Sequence, residues 1–116
     1  MAECGVLDLP DADLDIVSRI LETHVPDRPV FIFGSRVTGR ARHRSDLDLA
    51  IGGDTPLSLS LEGDLREAFS ESDLPIRVDV VDLATASAIF RRRIESHWIP
   101  FAAAEQRQAR AGVTAA

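Results

Sequence analysis

Apolar positions recur at two different periods along this chain, and the switches between them mark out its elements. Residues Asp11 to His24 place Leu14, Val17 and Leu21, with Ile16 and Ile20 beside them, at helical spacing. The pattern predicts a packing helix with Asp11 or Asp13 as N-cap and Pro26 just past its end. His24 falls in the last turn, where a cation suits the exposed carbonyls. Pro29 then introduces the continuous apolar run Val30 to Phe33, which fits a strand covered on both faces. The run stops at Gly34; Ser35 is placed to cap a short helix that Gly39 closes.

From Asp46 to Ile51 the period is two, with Asp46 and Asp48 on one face and Leu47, Leu49 and Ile51 on the other. Gly52-Gly53-Asp54 ends that strand as a turn. Helical spacing returns between Pro56 and Ser70 through Leu57, Leu61, Leu65 and Phe69, with Gly63 weakening the middle by about 1 kcal/mol relative to alanine. Pro75 opens a further strand, Ile76 to Val81, in which Ile76, Val78 and Val80 alternate with Arg77, Asp79 and Val81. A last helix is expected over Ala84 to His97 with Ile89, Phe90 and Ile94 inward. Trp98 to Phe101 follows as an edge strand, because Pro100 cannot donate a ladder hydrogen bond.

At 116 residues, 45% of them hydrophobic and 28% charged, the chain reads as one domain over 1–103 followed by a tail, 104–116, without an apolar stripe. No apolar run approaches the length of a membrane span, and the acidic start does not resemble a secretory signal, so a cytoplasmic protein is expected. Cys4 has no second cysteine to pair with. The net charge of −6 opposes a nucleic-acid backbone, so nucleic acid is not expected as the partner. All 13 cationic residues are arginine, which rules out a lysine nucleophile and a Walker-type lysine and leaves phosphate clamping to arginine. Arg91-Arg92-Arg93 suits either a solvated helix face or an acidic partner.

Two features carry chemistry. Gly34-Ser35 forms a strand-to-helix corner whose outward amides suit phosphate, and Arg36, Arg40, Arg42 and Arg44 lie close by in the sequence. Asp46 and Asp48 project the same way about 6.6 Å apart along their strand, within reach of a metal pair whose ions sit about 3.5 to 4 Å apart. Such hard oxygen ligands favour Mg²⁺ or Mn²⁺. Asp79 supplies a third carboxylate, for which a salt bridge with Arg77 is the competing structural reading. Three converging carboxylates repel and should raise the pKa of at least one of them.

Gly34-Ser35, ten intervening residues, then Asp46-x-Asp48 resembles the signature of the DNA polymerase β-like nucleotidyltransferase superfamily. The short chain is similar to its minimal, MNT-type members, the small partners of HEPN-domain toxins. The resemblance runs from the first helix to Phe101 and implies an α/β (α+β) fold, a small mixed sheet flanked by helices. It implies Asp46, Asp48 and Asp79 as catalytic residues and ligands of two Mg²⁺ ions, with Asp82 in a helix-start or loop role. It further implies Gly34, Ser35, Arg36, Arg44 and Ser45 around the nucleotide. Ser45 resembles the serine of the family's Ser-Asp-x-Asp-Leu pattern. The implied activity moves AMP from ATP to a hydroxyl of a HEPN-type toxin, with this chain as antitoxin in a hetero-oligomer. Two alternatives stand beside it: an antitoxin that neutralises by binding alone, and a small-molecule, antibiotic-type nucleotidyltransferase, for which the chain lacks a second substrate-binding domain.

Overall fold

A computed structural model describes residues 9–38 and 46–101. The element order is α1 (Asp11–His24), β1 (Val30–Phe33), α2 (Ser35–Thr38), β2 (Leu47–Ile51), α3 (Leu59–Ser70), β3 (Val78–Asp82), α4 (Ala88–Glu95) and β4 (Ile99–Pro100). The strands form a single mixed sheet in the order β3-β2-β1-β4. β1 runs antiparallel to both β2 and β4, whereas β2 and β3 are parallel, with α3 as the crossover between them.

The two sheet faces are unequal. Leu14, Val17 and Leu21 of α1 and Leu65 and Phe69 of α3 pack on Ile32, Leu47, Leu49, Ile51 and Val80 to make the main core. On the other face a smaller cluster joins Phe33, Ala50 and Leu83 to Ile94 of α4, flanked by Phe31, Val81 and Trp98. Phe31 and Trp98 stack with ring centroids 3.9 Å apart. Because side chains alternate along β2, Leu47, Leu49 and Ile51 enter the main core and Asp48 points to the thinly covered face.

Several expectations shift. α1 has its predicted bounds, but its N-cap is Pro10, with no side-chain cap; Asp11 and Asp13 lie inside the first turn. His24 Nδ1 bonds the Ile20 carbonyl at 2.9 Å, a local helix-end contact. α3 starts at Leu59 because Ser58 takes the cap, its hydroxyl accepting from Leu61 N–H at 3.1 Å, so Leu57 is buried ahead of the helix. α4 likewise starts late, capped by Ser87. Of its three expected inward residues only Ile94 is buried; Ile89 is 73% exposed and Phe90 39%. α4 meets the smaller cluster through Ile94, and Phe90 lies edge-on to Phe33. β4 is an edge strand as predicted, reduced to Ile99 and Pro100. No helix among the described residues is long and apolar enough to cross a membrane.

Candidate active site

Three neighbouring strand ends build the site. β1 ends at Phe33, and Gly34 turns the chain with φ 84°, a left-handed conformation that L side chains rarely adopt. A Cβ at Gly34 would also collide with Asp48 Oδ2. Glycine is therefore required both by the turn and by the approach of the carboxylate. The Gly34 carbonyl accepts from Val37 N–H at 3.0 Å and Thr38 N–H at 3.1 Å, which makes Gly34 the cap and Ser35 the first residue of α2. That corrects the expected Ser35 cap and leaves its hydroxyl without a partner among the described residues. Arg36 is buried, 4% exposed.

Asp48 stands opposite Phe33 on β1 and opposite Asp79 on β3. Asp46 lies just ahead of β2 and is half-buried. Burial raises the Asp48 pKa from 3.8 to about 6, helped by the negative charges of Asp79 and then Asp46. The expected repulsion among the carboxylates thus adds to the effect of burial at Asp48. Arg77 does little to relieve it: its Nε is 3.9 Å from Asp79 Oδ1, with Arg77 largely exposed and Asp79 about half exposed, a geometry worth little. No three His, Cys, Asp or Glu side chains among the described residues already surround one point at metal-binding distance. The two observations agree, because charge repulsion acts beyond coordination distance. A half-buried carboxylate flanked by two others, and only weakly relieved by Arg77, is a donor set that fits a divalent metal ion.

Arg44 and Ser45, also expected near the nucleotide, lie outside the described residues, as do Gly39, Arg40 and Arg42. Asp82, expected in a helix-start or loop role, is instead the last residue of β3 and is buried. Its Oδ2 accepts from Leu57 N–H at 2.9 Å and its Oδ1 from Ala84 N–H at 3.0 Å, so it ties together the segments leading into α3 and α4. Sequence reading missed His97, whose Nε2 accepts the Gly34 N–H at 3.1 Å. The antiparallel β1–β4 pairing would have pointed to it, but nothing local in the sequence does.

A cavity of about 480 Å³ wraps the free edge of β3, lined by Phe69, Leu74, Ile76, Val78 and Val80 with Arg66, Arg77 and Asp79. A second, mainly apolar cavity of about 290 Å³, between α1, β1 and β4, includes neither the corner nor the carboxylates.

This is a glycine-serine corner beside a pair of strand-borne aspartates, on a small mixed sheet backed by two helices. The polymerase beta nucleotidyltransferase family matches residues 10–101, and the chain belongs to that family. It is similar to the probable protein adenylyltransferase MntA of Haemophilus influenzae, 48% identical over 99 residues, which span 85% of this chain and 87% of that protein. Among solved structures, a toxin-antitoxin complex with AMP-PNP aligns with a TM-score of 0.65 at 24% identity, over 76% of this chain and 71% of the other. A tri-AMPylated Shewanella oneidensis HEPN toxin in complex with MNT antitoxin aligns at 0.60 and 22% identity, over 78% and 69%. The fold is thus the polymerase β-like nucleotidyltransferase fold.

Proposed function

We propose that this chain is a protein adenylyltransferase that acts in the cytoplasm as the antitoxin of a HEPN-domain toxin, moving AMP from ATP onto a hydroxyl of that partner. The observation that carries the reading is the juxtaposition of Gly34, Asp48 and Asp79 on adjacent strands. The similarity to a probable protein adenylyltransferase at 48% identity supports it.

The roles follow from order across the sheet. Ser35 and the amides after Gly34, at the end of β1, hold the β- and γ-phosphates, with Arg36 next to them in the chain. The family resemblance assigns Arg44 and Ser45 to nucleotide binding as well. Asp46 and Asp48 carry the divalent metal, taken to be a pair of Mg²⁺ ions. When bound, that metal neutralises charge on the triphosphate and lowers the pKa of the attacking hydroxyl. Asp79, on the far side of Asp48 from the corner, would hold the metal with Asp46 and Asp48 and take the proton of the acceptor hydroxyl. The hydroxyl oxygen bonds to the α-phosphorus, the bond to the bridging oxygen breaks, and pyrophosphate leaves toward the corner. In-line displacement puts the acceptor opposite the leaving group, so the partner enters over the β3 edge, where the cavity beside Asp79 lies.

The test mixes a HEPN-domain partner with ATP, Mg²⁺ and either wild type or Asp46→Asn plus Asp48→Asn, following partner mass and toxicity. A gain of AMP units with loss of toxicity for wild type alone is expected. Equal protection by the double variant without a mass change would make the chain an occluding binder. Since the chain has no tyrosine, any tyrosine-linked AMP must sit on the partner.

A further inference from the structure

We propose that His97 is a positioning residue for the Gly34-Ser35 corner: its imidazole fixes the Gly34 backbone against Asp48 and so sets how tightly the corner holds a triphosphate. The inference rests on the reading of that corner as the triphosphate site.

Register explains why a side chain is needed there. Phe31 faces Pro100 and Ile32 faces Ile99 across the antiparallel β1–β4 pair. Two further residues along each strand would bring His97 opposite Gly34, yet β4 begins only at Ile99. The backbone ladder therefore stops short of the corner, and Gly34 N–H donates to His97 Nε2 at 3.1 Å instead. On its other side Gly34 is so near the Asp48 carboxylate that a Cβ would not fit. Gly34 is thus held between an imidazole and a carboxylate.

The imidazole is itself held. With Nε2 accepting, the ring hydrogen is on Nδ1, which lies 3.1 Å from Ser96 Oγ. The Ser96 hydroxyl donates to the Arg93 carbonyl at 2.7 Å, and His97 N–H donates to the Ile94 carbonyl at 3.2 Å. Donor and acceptor roles run without conflict from Gly34 to the C-terminal turn of α4. Removing the ring nitrogen would leave a half-buried amide without its acceptor and free the end of β1 to shift against Asp48.

The test compares His97→Leu, His97→Gln and Ser35→Ala by calorimetric titration with ATP and Mg²⁺, alongside thermal melts and Gly34 amide exchange by NMR. His97→Leu is expected to weaken ATP binding about three- to tenfold, the worth of one hydrogen bond, and to lose Gly34 protection. His97→Gln, whose side-chain carbonyl can accept the same N–H, is expected to restore most of both. If both His97 variants bind like wild type while Ser35→Ala weakens binding, the role of His97 is overturned and the corner stands. If Ser35→Ala binds like wild type, it is the corner that fails. Equal weakening by Leu and Gln, in step with equally lowered melting temperatures, would reduce His97 to a packing residue. Should His97→Leu not fold, Gly34 exchange decides: protection in wild type and His97→Gln upholds the proposal, and exchange at the solvent-exposed rate overturns it.

Discussion

Asp48 faces Asp79 directly across the parallel β2–β3 ladder. Neighbouring strands lie about 4.8 Å apart, so two carboxylates leave the same sheet face within one strand spacing of each other. Asp48 is half-buried, and its pKa is pushed up to about 6 by burial first and by Asp79 and Asp46 next.

That shift fixes the sign of a pH effect. An acid with a higher pKa folded than unfolded holds its proton more tightly in the native state. The associated stability is complete below 3.8 and is lost as pH rises through about 6. Metal-free Asp48→Asn should therefore melt higher than wild type above about pH 6, the difference closing toward about pH 4. Melts of both proteins with a chelator across this range check it; a constant difference would mean that ionisation of Asp48 is not the cause.

Metal should reverse the comparison. A divalent ion that binds the folded chain and not the unfolded one raises the melting temperature with concentration. Mg²⁺ is expected to stabilise wild type and to do little for Asp46→Asn plus Asp48→Asn. Equal stabilisation of both would place the ion elsewhere.

Asp79 and Asp82 sit three residues apart on one strand and should fail differently. Asp82→Ala removes the acceptor of two backbone N–H groups and should cost about 2 to 4 kcal/mol of stability, while ATP and Mg²⁺ still bind the folded fraction. Asp79→Asn should leave the metal-free protein at least as stable as wild type, because it removes one of the charges that raise the Asp48 pKa, and should abolish nucleotidyl transfer. Denaturant unfolding paired with a transfer assay separates the two.

The cavity at the β3 edge gives a steric test of acceptor entry. Ser70, at the end of α3, lines it away from the carboxylates. Ser70→Trp should fill part of the space and lower transfer to the partner about tenfold or more, about 1.4 kcal/mol of acceptor binding, with ATP affinity unchanged. Unaltered transfer would send the acceptor to another face.

The local pattern settled a good deal by itself. The bounds of α1 and β1, the alternation that turns Asp48 away from the main core while burying Leu47 and Leu49, and the edge character of the Pro100 strand are all legible from period and proline chemistry, because neighbours along the chain decide them. The spacing from Gly34-Ser35 to Asp46-x-Asp48 pointed to the family, since it records how far the chain must travel between two adjacent strands. Helix starts were legible only in part: Ser58 and Ser87 outcompeted the prolines and aspartates upstream as caps. Other properties depended on residues far apart in sequence. Asp82 became a buried brace because the Leu57 amide meets it there, 25 residues away. Ile89 and Phe90 stayed exposed because α4 meets the small cluster beneath it through Ile94. The Asp48 pKa rose because β2 lies between the other two strands of the site, which buries the carboxylate and sets Asp79 beside it. His97 reached Gly34 through antiparallel strand pairing, 63 residues away, which no local pattern encodes. The sequence period determines which way a side chain points; what it meets there is decided only when strands and helices distant along the chain come together.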